Sequence, residues 1–176
     1  MTAEFFSRVP ELKGKRITLK RILAESAEDL KKLAESANVY KYLPTFLFEQ
    51  KYDIKTVMER LYTECIDESL ILGIYKDGEF CGIAEMYGLK EHINQVSVGY
   101  RLPERFWGQG IASEALGLMA DYLINKAGIE IITASSMVEN IGSASVLIKN
   151  GFTHVVHGVY EDWGFDEPVL VDKWIR

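Results

Sequence analysis

Cysteine and histidine are scarce in this chain, and each scarcity removes a class of protein. Only Cys65 and Cys81 are present and their spacing is not that of metal ligands, so a disulfide framework is excluded and two reduced thiols are expected. His92, His154 and His157 form no recognisable metal-binding pattern, and no metal is expected. Long apolar runs are missing too: nothing reaches the about 18 consecutive apolar residues of a membrane span, and the N-terminus has no charged-then-apolar leader. Neither membrane insertion nor secretion is expected, which leaves the cytoplasm as the default location. Positive charge is in deficit, with 20 Lys and Arg against 26 Asp and Glu and a net charge of −6, which argues against a nucleic-acid surface and suits a cationic or amine-bearing partner.

What the chain does have is apolar mass. With 176 residues, 48% of them hydrophobic, it can bury one good core, and a single domain over residues 1–176 is expected. Its patterning mixes both periods. Gly14 to Ile22 alternates as a strand with Ile17, Leu19 and Arg21 on one side. Ser26 and Asp29 have the spacing of a capping box ahead of Leu30, Leu33 and Ala34, which predicts a first helix ending near Ala37. Asn38 to Gln50 reads as a loop broken by Pro44. Its aromatics Tyr40, Tyr42, Phe46 and Phe48 either pack the loop onto the core or form an acceptor-binding wall, with Tyr40 and Tyr42 the candidates for substrate contact.

A second helix is expected from Asp53, with Ile54, Val57, Met58, Leu61 and Cys65 on one stripe. Leu70 to Tyr75 and Glu79 to Tyr87 then flank Asp77-Gly78, a strong hairpin signal. A third strand, Gln95 to Arg101, alternates Val96, Val98 and Tyr100 against Gln95, Ser97 and Gly99 before Pro103 stops it. The apolar stripe Ile111, Ala115, Leu118, Met119 and Tyr122 sets a helix from just after Gly110. Glu130 to Ser136 should return parallel to the preceding strand by the right-handed crossover rule. Asn140 caps a further helix to Lys149 that Asn150-Gly151 ends, and Phe152 to Tyr160 with Pro168 to Ile175 form a final hairpin.

The chain is organised around the junction Arg105-Phe106-Trp107-Gly108-Gln109-Gly110, where glycines precede a long helix. A helix N-terminus offers unpaired N–H groups and a positive dipole end, so an anion such as a diphosphate can be held there without a lysine. A P-loop would need Gly-Lys-Ser/Thr, and a dinucleotide fingerprint a third glycine where Ser113 stands and a ribose-binding acid closing the next strand, which Glu130 instead opens. A glycine turn that only caps the helix is the remaining alternative. The spacing R-x-x-G-x-G resembles the acetyl-CoA pyrophosphate loop, Q/R-x-x-G-x-G/A, of the GNAT N-acetyltransferase superfamily. Asn140 to Phe152, N-I-G-S-A-S-V-L-I-K-N-G-F, is similar to that family's second signature at the expected distance, and its serine version resembles the branch that acetylates ribosomal-protein N-termini.

The resemblance implies an α+β fold: a mixed, mostly antiparallel sheet of about six to seven strands, about four helices and a splayed parallel strand pair. It also implies acetyl-CoA as co-substrate, held by backbone at Val98, Gly99 and Tyr100, by the loop from Arg105 through Phe106, Trp107, Gly108, Gln109, Gly110, Ile111 and Ala112, and by Asn140 and Ser143. The acceptor would be a protein N-terminus or a small amine. Two departures from the family's pattern stand out. Ser97 replaces a frequent glutamate, and Leu147 falls where many members place a thiolate-protonating tyrosine. Catalytic roles therefore pass to Ser143 for the thiolate and Glu85 for the amine proton, and a non-catalytic acyl-CoA-binding domain is the alternative. Trp163, Phe165 and Trp174 near the last hairpin suggest a homodimer.

Overall fold

Asp77 and Gly78 both adopt left-handed backbone angles, φ 51° and 85°, the geometry of a two-residue hairpin turn matched to strand twist. The hairpin they close lies at the centre of the computed structural model, which describes residues 8–63 and 69–176. It joins β3 (Ser69–Lys76) to β4 (Glu79–Lys90). Outside β3 lie β2 (Thr18–Lys20) and β1 (Leu12–Lys13), and on the other side β5 (Gln95–Arg101) pairs antiparallel with β4. Helix α5 (Ile111–Asn125) crosses over to β6 (Ile131–Met137), which is parallel to β5. Helix α6 (Ile141–Lys149) leads to β7 (Thr153–Glu161) and β8 (Val169–Ile175), and β8 inserts between β6 and β7.

The sheet is mixed with a parallel pair, as expected, but the described residues form eight strands, because the chain before β2 adds a two-residue edge that is too short for a periodic signal. Between β2 and β3 lie α1 (Ala27–Ala34), α2 (Ala37–Tyr40), α3 (Phe48–Lys51) and α4 (Ile54–Thr63), making six α-helices among the described residues rather than about four. Both faces of the sheet are covered. On one, Leu72, Ala84, Met86, Val96 and Val98 pack against Ile111, Leu116, Met119 and Leu123 of α5. On the other, Ile71, Tyr75, Phe80 and Ile83 meet Leu30, Leu33, Phe48, Val57 and Leu61. This double burial explains why β3 reads Ser-Leu-Ile-Leu-Gly-Ile-Tyr without alternation, as a strand apolar on both sides must.

Several expectations are corrected here. Ser26 ends a 3₁₀ turn and makes no cap bond; its buried hydroxyl shares a 2.9 Å hydrogen bond with the Tyr75 hydroxyl. The first helix ends at Ala34, and Asn38 to Gln50 is not one loop, since it holds most of α2 and much of α3. The first strand is confined to Thr18–Lys20. Helix α4 starts as expected, with Asp53 Oδ1 accepting the Lys55 and Thr56 N–H groups, whereas Cys65 lies outside the described residues. Trp163 and Trp174 are buried within the chain, so of the three aromatics offered for a dimer only Phe165 is exposed.

Gly82 locks β4 against β5. A Cβ there would lie 2.3 Å from the Arg101 carbonyl oxygen and 3.0 Å from Leu102 Cα, at a positive φ of 142°. Backbone strain and overpacking of about 1–3 kcal/mol each put the cost of Gly82→Ala at about 2–6 kcal/mol. Chemical denaturation should find a loss of that size, and a variant as stable as wild type would contradict this close approach.

Candidate active site

The ladder between β5 and β6 has three rungs, Gln95↔Ile131, Val96↔Ile132 and Ser97↔Thr133, and then stops while both strands run on to Arg101 and Met137. A 2.9 Å hydrogen bond between the Ser97 and Thr133 hydroxyls marks the point of divergence. On their outer sides both strands stay paired, β5 with β4 from Met86↔Val98 to Ile83↔Arg101 and β6 with β8 from Ala134↔Trp174 to Met137↔Val171. Only the shared side opens. A cavity of about 1040 Å³ occupies the opening, lined on one arm by Val98, Gly99 and Tyr100 and on the other by Ala134, Ser135 and Ser136. Strand backbone that faces such a gap offers hydrogen-bonding groups to an extended ligand.

The glycine loop lies at the mouth of this gap. From Pro103 a 3₁₀ turn (Glu104–Phe106) leads through Trp107, and Gly108 and Gly110 take φ of 69° and 76°, Gly110 serving as the cap of α5. A Cβ on Gly108 would meet nothing within 4 Å, so that side of the loop faces open space. Phe106, Trp107, Gly108, Gly110, Ile111 and Ala112 line the cavity. Arg105 and Gln109 do not: Arg105 pairs with Glu79 at 3.3 Å, and the Gln109 side chain donates to the Arg105 carbonyl at 2.6 Å.

Sequence reading missed Arg16. Its guanidinium donates to the Gln109 carbonyl at 2.9 Å and the Gly110 carbonyl at 3.2 Å, and its Nε to Glu114 Oε2 at 2.9 Å. Two carbonyls and a carboxylate are thereby tied at the start of α5, which fixes the loop. Nothing local could have signalled this, since Arg16 and Glu114 are 98 positions apart.

Across the gap, Asn140 caps α6 by accepting the Ser143 N–H at 3.1 Å, and both residues line the cavity. The Ser143 hydroxyl lies 3.0 Å from that of Tyr100. Burial pushes the Tyr100 phenol up to about 12, opposed in part by its hydrogen bond with Ser143. Leu147 is core. The Tyr100–Ser143 contact joins β5 to α6 and becomes visible only once the helix packs over the strand.

Strand alternation puts Glu85, Ser97, Gly99 and Arg101 on the opposite face from Tyr100. There Arg101 sits between two carboxylates, bound to Glu49 through Nε and through Nη2 at 2.9 Å, and to Glu85 through Nη1 at 2.8 Å. Burial opposes the guanidinium charge, but the two carboxylates outweigh it and keep Arg101 protonated. The trio carries a net negative charge, and Glu85 lines the cavity. Tyr42 lines it too, whereas Tyr40 does not: its hydroxyl donates to Glu49 at 2.6 Å. Phe48 is buried and Phe46 exposed, and both line the cavity.

Residues 16–153 match the family described as acetyltransferase (GNAT) domain. A probable N-acetyltransferase of Bacillus subtilis, YjcK, is 27% identical over 167 residues, covering 86% of this chain and 92% of that protein. The ribosomal-protein-serine acetyltransferase of Escherichia coli is 25% identical over 109 residues, 62% of this chain and 61% of the relative. Among solved structures, spermidine N-acetyltransferase from Vibrio cholerae in complex with CoA and spermine superposes with a TM-score of 0.77 at 15% identity, over 93% of this chain and 96% of that one.

The clamp on the loop is open to a pH test. Burial would raise the Glu114 pKa, but hydrogen bonds from the Arg16 backbone and guanidinium, with its charge, hold it below the ordinary value. A depressed carboxylate contributes stability above its unfolded pKa and loses it as the pH falls through the folded one. The melting-temperature difference between wild type and Glu114→Gln should therefore be constant from about pH 8 to about pH 5 and close on acidification. A difference unchanged down to about pH 2 would mean that the clamp does not depend on the carboxylate charge.

Proposed function

We propose that this chain, which belongs to the acetyltransferase (GNAT) domain family and is an N-acetyltransferase, moves the acetyl group of acetyl-CoA directly onto a primary amine, with the donor on the α5–α6 face of the gap and the acceptor on the Glu85 face. The observation that carries this reading is the opening between β5 and β6 with the glycine loop at its mouth. Its chemistry suits the co-substrate: N–H groups at the start of a 15-residue helix suit a diphosphate, and strand edges at Val98–Tyr100 suit the amides of the pantetheine arm. When bound, acetyl-CoA supplies an activated thioester carbonyl.

The chain's own groups then divide the work. Backbone N–H groups within Val98–Tyr100 take the negative charge that develops on the carbonyl oxygen. A primary amine is protonated near neutrality, its pKa being near 10, so its proton must leave before it attacks. Glu85 lines the cavity and shares one arginine with a second carboxylate, which makes it both the attractor for the ammonium and the acceptor of its proton, directly or through water. On the other side, Ser143 and Tyr100 form a hydroxyl pair for the departing sulfur. With the phenol at about 12 against about 8.5 for an ordinary thiol, complete proton transfer from Tyr100 runs uphill, so the pair stabilises the thiolate by donating a hydrogen bond.

The acceptor class follows from charge. Glu85, Glu139 and Glu161 reach the cavity wall together with Arg101 and Lys149, an excess of acid that favours a cationic amine over an acidic one. Relatives act on different amines, a ribosomal protein's serine in one named case and spermidine in another, and both present a protonated nitrogen before reaction. A screen of N-terminal peptides and polyamines, read by thiol release, distinguishes them. Failure of every amine to release thiol from an enzyme that binds acetyl-CoA would favour the non-catalytic acyl-CoA-binding reading.

Two variants test the site itself. Gly108→Asp or Gly110→Asp places a carboxylate at the loop and should abolish CoA binding by calorimetry in folded protein; unchanged affinity in both would overturn the donor site. Ser143→Ala should lower kcat about tenfold to a thousandfold at nearly constant acetyl-CoA affinity, because its hydrogen bond strengthens only as the C–S bond breaks. A Ser143→Ala enzyme with a lowered melting temperature and full turnover would make this serine structural.

A further inference from the structure

The β7 segment from His154 to Val159 pairs with the shorter β8 segment from Trp174 to Val171, through His154↔Trp174, Val156↔Lys173 and Val159↔Val171 with a register shift at each step. Residues three apart on a regular strand point to opposite faces. The register shift between His154 and Val156 cancels that alternation, and with Gly158 at φ 66° it turns both His154 and His157 toward Asp172. His157 Nδ1 lies 2.8 Å and His154 Nε2 3.3 Å from the same oxygen, Asp172 Oδ1, and one ligand atom from each of the three residues falls within 4.8 Å of the others. None of them lines the acetyl-transfer cavity.

The setting is more defined than a chance surface cluster. Asp172 is 6% exposed, and among the described residues its carboxylate meets the two imidazoles and the Gly158 N–H at 3.1 Å. The His154 ring is stacked on Trp174 with centroids 4.6 Å apart and planes 21° apart, so its orientation is fixed. The Gly158 N–H orients the carboxylate as outer-shell donors orient metal ligands.

We propose that His154, His157 and Asp172 bind a divalent transition-metal ion of the zinc type, which fastens the bulged edge strand β7 to β8. Bonds of about 2.0–2.2 Å to a tetrahedral ion set ligand atoms about 3.3–3.6 Å apart. Of the two spacings to Asp172 Oδ1, 3.3 Å falls in that range and 2.8 Å is about 0.5 Å short of it, while the trio spans up to 4.8 Å, so small side-chain rotations complete the site as the ion binds. Two imidazoles and one carboxylate favour zinc, nickel or copper over magnesium or calcium, which take oxygen ligands. The His157 side chain is 70% exposed, so the ion can enter from solvent and keep water in its fourth position. His154 Nε2 also lies 3.0 Å from the Val156 carbonyl, so metal binding requires the tautomer with its proton on Nδ1.

Zinc competition against a chromophoric chelator, on protein freed of any histidine tag, tests the site. One equivalent should bind, with affinity lowered at least about tenfold in His157→Gln and in Asp172→Asn and unchanged in His92→Gln, and millimolar magnesium should not compete. Zinc should raise the melting temperature of wild type but not of Asp172→Asn, and His157→Gln, altered at an exposed side chain, covers the case in which the buried variant fails to fold. Absence of zinc binding at micromolar concentration, or equal affinity in wild type and His157→Gln, overturns the proposal.

Discussion

The separation of two parallel strands is the constraint on which the rest of this structure depends. β5 and β6 pair for three rungs and then part, and each is held by an outer neighbour, β4 or β8, so the gap stays open without leaving either strand unsupported. The carboxyl ends of such strands are where α/β sheets place ligands. Here the chain leaving β5 becomes the glycine loop and α5, and the chain leaving β6 becomes the Asn140 cap and α6. Two helix starts therefore converge on one opening. The chemistry follows from the strand order rather than from any single residue.

Because the gap passes between strands, it connects the two faces of the sheet, and the faces differ. One presents hydroxyls, Tyr100 and Ser143, under a helix start; the other presents the Glu49–Arg101–Glu85 ion cluster. An acyl transfer needs opposite services at its two ends, hydrogen-bond donation to a leaving thiolate and proton removal from an incoming ammonium. In the proposed reaction these two services come from opposite faces of the sheet. Breaking the ion cluster by removing Arg101 would leave two carboxylates in an apolar surrounding, the kind of change that costs about 3–5 kcal/mol.

Much of this is legible in the sequence wherever the cause is local. Asp77-Gly78 dictates its own turn, Gly110 starts α5, and Asn140 caps α6, because each feature is decided within a few residues. The antiparallel meander and the parallel return of β6 follow from them with the crossover rule, whereas the insertion of β8 between β6 and β7 does not. What sequence reading misses is long-range. Arg16 carries no local signal, yet it ties the Gln109 and Gly110 carbonyls; Ser26 reads as a cap, yet Tyr75 claims its hydroxyl. Arg101 reads as the polar end of a half-buried strand, but both faces of this sheet are covered, so it is buried with its counter-charges. His154 and His157 show no metal pattern because β-bulges, not spacing, bring them together.

Amide hydrogen exchange with and without CoA tests the central claim most directly, because the account places the ligand against named backbone. Exchange should slow within Val98–Arg101, where β5 has left β6, and within Gly110–Ser113 at the start of α5, while the distant β1–β2 edge stays unchanged. Saturating CoA binding without protection in either segment would mean that the coenzyme lies elsewhere and that the gap between β5 and β6 is not its site.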